Sequence, residues 1–109
     1  MCESEKNESA KILGLLGLCA RAGRLICGTP LICESLKARK EILMVLMAEG
    51  VSENTRKRLS DRCGFYGVRL AEVRVTTGEL AHALGKSGEL AAVGVTDPNF
   101  AAGLEGLLL

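Results

Sequence analysis

One histidine, His82, and five cysteines are the residues of this chain most able to move protons, attack carbon or hold a metal. Cys2, Cys19, Cys27, Cys33 and Cys63 are irregularly spaced, and no C-x-x-C pair occurs among them. A zinc site ordinarily gathers four Cys or His ligands in two close pairs, so no metal site is expected. The thiols read instead as reduced groups packed in a core. His82 could act as a general base only beside a nucleophile, and its sequence neighbours supply none. The motifs G-x-S-x-G, G-x-x-x-x-G-K-[ST] and G-x-G-x-x-G are all absent. Gly85–Gly88 reads GKSG but lacks the earlier glycine that shapes a phosphate loop. No catalytic residue, cofactor or small-molecule substrate is expected, and the chain reads as non-enzymatic.

Binding is the chemistry left. Gly28-Thr29-Pro30 has the form of a helix start, with Thr29 as N-cap and Pro30 at the first helical position. Free amides and the helix dipole would face an anion there, and the glycine lets another backbone come close. Lys37, Arg39 and Lys40 crowd the end of the same helix, and Lys86 lies in a later glycine-flanked loop. Aromatic residues make up only 3%, namely Phe65, Tyr66 and Phe100. A base-stacking platform for single strands is therefore not expected. An RNA binder of this composition would have to use cations, backbone amides and helix N-termini on a folded RNA.

Charge is distributed unevenly although the net value is only +1. Residues 10–69 hold eleven Lys or Arg against five acids, while residues 70–109 hold two against five. The asymmetry fits an anionic partner, and equally fits helices with solvated basic faces.

The elements that must position these residues alternate regularly. Ala10–Ala22 is built of helix formers, with Arg21 in its last turn and Gly23 after it. Its interior Gly14 and Gly17 suggest close approach of another backbone. Leu25–Cys27 reads as a short strand before the Gly28 corner, and Ile32 and Leu36 give the second helix a buried side. Ile42–Ala48 (ILMVLMA) is continuously apolar, the mark of a strand covered on both faces. Ser52 caps a third helix that buries Leu59, Cys63 and Tyr66, while Arg56, Lys57, Arg58 and Arg62 take its other sides. Val68–Val75 is a strand, and Thr76-x-x-Glu79 is a capping box for a short helix ending near Gly85. Leu90–Val95 is a buried strand, and Asp97-Pro98 opens a last helix through Leu107. Such alternation without hairpins predicts one sheet between helical layers.

At 109 residues the chain has the size of one domain, here 10–109, preceded by an acidic tail at 1–9 that is expected to fray. Glu3, Glu5 and Glu8 stand where a secretion signal would be positive, and Ile12–Ala20 is too short to cross a bilayer. A cytoplasmic location with no membrane contact is expected.

Three stretches carry a family likeness: LLGLCARAGRLICG (Leu15–Gly28), ILMVLMAEGVSENTRKRLSDRCGFYGV (Ile42–Val68), and GELAHALGK (Gly78–Lys86) followed by AVGVTDPNFAAGL (Ala92–Leu104). The SENTRKRLSDRC segment is the most specific. Through them the chain resembles the kink-turn-binding ribosomal protein superfamily (L-seven-Ae and L-thirty-e), in particular its small bacterial YlxQ-like branch. The resemblance implies a three-layer α-β-α sandwich with a mixed four-stranded sheet. It also implies an RNA-binding accessory protein of the ribosomal type, associated with ribosomal or other structured RNA. Gly28 and Thr29 match the Gly-Thr of the family's recognition turn, and Lys37 matches a basic position of the branch. The family's Asn-Glu pair is replaced by Pro30-Leu31, and a lysine by Glu34. Lys86-Ser87-Gly88 stands where the family has a short apolar stretch. Side-chain reading of base edges is therefore not expected, and phosphate attraction through Gly28, Thr29, Pro30, Lys37, Arg39, Lys40 and Lys86 is. The alternative is a protein-interaction module on the same fold, suggested by Pro30, Leu31 and Glu34.

Overall fold

A computed structural model of the chain describes residues 2–38 and 41–108, with side chains from Ser9 onward. Helices and strands alternate as α1 (Cys2–Arg21), β1 (Leu25–Cys27), α2 (Thr29–Lys37), β2 (Met44–Glu49), α3 (Glu53–Tyr66), β3 (Arg69–Thr76), α4 (Thr77–Ala83), β4 (Ala92–Val95) and α5 (Pro98–Leu108). The predicted order holds throughout, and the differences lie at element ends. Helix α1 starts at Cys2, well before Ala10, so the acidic stretch read as a tail is helical backbone continuous with α1. Strand β4 starts at Ala92, later than Leu90, because the Leu90 amide donates to the Thr77 carbonyl at 3.0 Å.

The strands form one mixed sheet in the order β1-β4-β2-β3. β4 runs antiparallel to both β1 and β2, while β2 and β3 are parallel and joined through α3. Helices α1, α4 and α5 cover one face, and α2 and α3 the other. This is the expected three-layer sandwich.

Alternation along β2 builds both cores. Met44, Leu46 and Ala48 pack with Ile12, Leu16 and Leu104, whereas Val45 and Met47 pack with Ile32, Leu36 and Leu59. That is why MVLMA (Met44–Ala48) lacks a polar face, while Leu43, read as part of the same strand, lies before β2 and is exposed. Truncating a fully buried leucine such as Leu46 to alanine would cost about 2–5 kcal/mol. Gly94 is the small residue of β4, and a Cβ there would lie 3.4 Å from two carbons of Ile42.

Of the two glycines inside α1, only Gly17 meets another backbone: a Cβ there would sit 3.6 Å from the Ala83 carbonyl oxygen. Gly14 faces open space, which corrects the expectation of a close approach at that position. Cys19, Cys33 and Cys63 are buried and Cys27 is half-buried, all as free thiols. Burial, helped by Asp97 and Cys27, pushes the Cys19 thiol up to about 11. Burial, helped by Cys33, does the same for Cys63, also to about 11. Among the described residues no helix is long and apolar enough to cross a membrane.

Candidate nucleic-acid interface

The Gly28 corner follows from the short β1 strand and the residue that ends it. Gly28 has φ 96° and ψ 140°, a conformation that side-chain-bearing residues rarely adopt. Its amide donates to the Ala92 carbonyl at 3.0 Å, and its own carbonyl accepts from the Ile32 amide at 3.0 Å. The corner is thereby tied to β4 on one side and to α2 on the other.

Gly28, and not Thr29, is the N-cap of α2, so the expected capping role of Thr29 is corrected. Thr29 is already helical, and its side chain turns inward. Its Oγ1 is buried with no hydrogen-bond partner among the described residues. No side chain caps this helix. Pro30, exposed and one residue inside the helix, contributes no N–H. The amides of Thr29 and Leu31 are the donors that the first turn presents.

The loop between α4 and β4 is held beside this corner. Its start is fixed by the Lys86 amide, which donates to the Ala81 carbonyl at 2.9 Å. Its end is fixed by the Thr77 hydroxyl, which donates to the Glu89 carboxylate at 2.7 Å, and by the Leu90 amide on Thr77. The antiparallel register Cys27↔Val93 then sets the end of β1 against the start of β4. Burial raises the Cys27 thiol above its ordinary range, and the nearby Lys86 ammonium partly opposes that rise. Gly28, Thr29 and Pro30 therefore stand beside the start of β4, the strand that the Lys86 loop leads into.

Lys37 is not part of that group. It is exposed at the far end of α2, about 12 Å along the axis from Thr29. An exposed stripe of Pro30, Leu31 and Glu34 leads to it. Arg39 and Lys40 lie outside the described residues. Some of the central basic charge is already committed internally. Arg56 pairs with Glu72 at 2.6 Å and Arg69 with Glu105 at 2.7 Å. Among the described residues no ion pair holds Lys37 or Lys86.

Two features of this end of the sheet escape a sequence reading. Because β2 and β3 are parallel, their C-terminal ends bring the starts of α3 and α4 to one end of the sheet, and β4, antiparallel to both neighbours, brings the Gly28 corner there too. The orphaned Thr29 hydroxyl is the other. Its only trace in sequence is a threonine directly after a glycine that ends a strand. His82 is exposed and lines a shallow groove with Arg21, Ala83 and Gly85. Among the described residues no three His, Cys, Asp or Glu side chains gather in a way that could hold a metal ion.

Known proteins share this fold. The model of the ribosomal protein L7Ae/L30e/S12e/Gadd45 family matches residues 10–105. The chain is 35% identical over 94 residues to the RNA-binding protein YlxQ of Bacillus subtilis, covering 86% of this chain and 91% of that one. It is 33% identical over 91 residues to the RNA-binding protein YlxQ of Enterococcus faecium, covering 84% of each. A solved structure from Bacillus halodurans, of a protein of unknown function, superposes with a TM-score of 0.80 at 32% identity, over 91% of this chain and 97% of that one. The Giardia lamblia 15.5kD RNA binding protein superposes with a TM-score of 0.76 over 94% of this chain and 88% of its own. At 17% identity, that last likeness is one of fold.

Proposed function

The chain belongs to the ribosomal protein L7Ae/L30e/S12e/Gadd45 family, and from that premise we propose that it is a non-enzymatic RNA-binding accessory protein of the ribosomal type. Residues 10–109 act as one RNA-binding domain in the cytoplasm, and the partner is a structured RNA, ribosomal in the first instance. The observation that supports this reading is the pairing of β1 with β4, which joins the Gly28 corner to the strand that the Lys86 loop leads into. Relatives named as RNA-binding proteins support it.

At the corner, a phosphate accepts hydrogen bonds from the Thr29 and Leu31 amides and is favoured by the dipole of α2. The missing Cβ of Gly28 lets the sugar-phosphate backbone come close. Lys86 neutralises charge from the loop side. Lys37, with Arg39 and Lys40 after it, meets phosphates farther along the strand. Pro30 and Leu31 offer apolar contact where relatives would read base edges, so binding relies on RNA shape and phosphate more than on sequence.

The test is a fluorescence-anisotropy titration of a kink-turn stem-loop across a salt series. Affinity falls steeply with salt, and Lys86→Gln or Lys37→Gln each lowers the log–log slope by about 1. Affinity no better than that of a neutral control protein sinks the reading. One observation favours a second reading, a protein-interaction module: Leu31 is 56% exposed beside Pro30. Under that reading, partners captured from lysate persist after nuclease treatment and are lost on Leu31→Ser.

A further inference from the structure

Helix α3 contains the most distinctive stretch of the sequence, yet the Gly28 corner uses none of its cations. Leu59 and Cys63 point into the core, and the Arg56 guanidinium is taken by Glu72. On the solvent side Arg58, Arg62 and Phe65 fall at i, i+4 and i+7, which places them on one ridge, and all three are exposed. Phe65 is 81% exposed, the most of any large apolar side chain among the described residues. The half-buried Tyr66 ring meets it edge-on, with centroids 4.9 Å apart and planes at 84°. Among the described residues no ion pair holds Arg58 or Arg62.

The low aromatic content predicts no stacking platform, but the fold turns one of its few rings fully outward at the end of a row of guanidinium groups. Two exposed cations alone would fit any anion. The aromatic adds a selection. A planar ring gains most from another π face, and nucleobases carry one at every position of a strand, whereas an acidic peptide would leave Phe65 with little to contact. Base stacking beside phosphate neutralisation is the standard combination for unpaired strands.

We propose that the Arg58–Arg62–Phe65 ridge of α3 is a second RNA contact, which takes an unpaired strand by stacking a base on Phe65 and seating neighbouring phosphates on the two arginines. The inference rests on the RNA-binding reading but concerns a different surface and a different form of RNA. Asp61 flanks the ridge, and its charge opposes the phosphates.

The experiment uses the full chain with two probes, a ten-nucleotide oligouridine and the kink-turn stem-loop, read by anisotropy. For the oligouridine, Phe65→Ala and Phe65→Leu each lose about tenfold in affinity, while Phe65→Trp retains it. Arg58→Gln with Arg62→Gln lowers the salt slope by about 1.4. Stem-loop affinity is unchanged in these variants and falls in Lys86→Gln. Because Phe65 is exposed, circular dichroism should show the same melting for all its variants. Oligouridine binding that ignores Phe65 overturns the proposal. Phe65-dependent binding of an oligoglutamate peptide with equal affinity also overturns it, in favour of an acidic protein segment. Stem-loop binding without oligouridine binding refutes the ridge alone. Oligouridine binding at the ridge without stem-loop binding refutes the corner and upholds the ridge.

Discussion

Helices α2 and α4 begin at the same end of the sheet and begin in opposite ways. At α4 the Thr76 hydroxyl accepts from the Glu79 amide at 3.0 Å, and the Glu79 carboxylate accepts from the Thr76 amide at 2.8 Å. That capping box closes the helix on itself. At α2 no side chain among the described residues caps the amides, and the nearby threonine hydroxyl is buried with no partner among them. Helices α3 and α5 side with α4: the Ser52 hydroxyl accepts from the Thr55 amide, and Asp97 accepts from the Asn99 and Phe100 amides. A capped start contributes stability and offers little to a ligand. An uncapped start gives up that stability and keeps its donors available. The proposed RNA contact is at the one of these four starts where a local rule of helix building is left unmet.

The contrast can be broken most sharply at its hinge. Gly28→Val forces a branched side chain to φ 96°, so α2 must shift or strain. Chemical denaturation is expected to show a loss of about 1–3 kcal/mol, and anisotropy at least a tenfold loss of stem-loop affinity. Retention of full RNA affinity would show that the corner is not the contact.

Next come the two threonines, which should respond oppositely. Thr76→Ala removes a working cap and is expected to cost about 1 kcal/mol in urea denaturation, with RNA affinity intact. Thr29→Val replaces an unbonded buried hydroxyl with a methyl of similar shape. Stability should hold or rise, since a desolvated hydroxyl without a partner is itself unfavourable by about 1–3 kcal/mol. If the hydroxyl turns to the RNA, affinity falls several-fold in the same variant. Destabilisation by Thr29→Val to the extent seen for Thr76→Ala would erase the distinction between the two helix starts.

The last test concerns the cores, not the helix starts. Cys19 and Cys63 titrate near 11 in the fold against 9.0 ordinarily. Below pH 9 both folded and unfolded chains hold these protons, so stability from the two thiols is flat there. Between about pH 9 and 11 the unfolded chain releases them first, so unfolding becomes easier as pH rises. Denaturation midpoints at pH 8 and pH 10.5 should differ in that direction, and less so in Cys63→Ala. A midpoint that climbs with pH would place these groups elsewhere than in the cores.

Much of the scaffold was legible because its signals are local. The Thr76–Glu79 box, the Ser52 cap and the Asp97-Pro98 start each depend on residues within one turn, and each forms as read. The continuous apolarity of β2 is realised in full burial from Met44 to Ala48. Thr29 misled because threonine before proline is a good cap in isolation, and only the backbone of Gly28 moves the cap one residue earlier. Gly14 misled because a glycine in a helix looks the same in sequence whether a neighbour approaches it or not.

The sequence by itself determined the alternation of helices and strands, the two-sided burial of the central strands and the kinship that these patterns express. It did so because periodicity, capping and apolar content act over a few residues. Tertiary structure alone decided that the Gly28 corner is paired with the start of β4, that the Thr29 hydroxyl has no partner among the described residues, and that Phe65 is turned out to solvent. Those outcomes depend on strand pairing between distant segments and on how helix α3 is rotated against the sheet. Pairing and rotation are set by packing across the whole core, which no short window of residues contains.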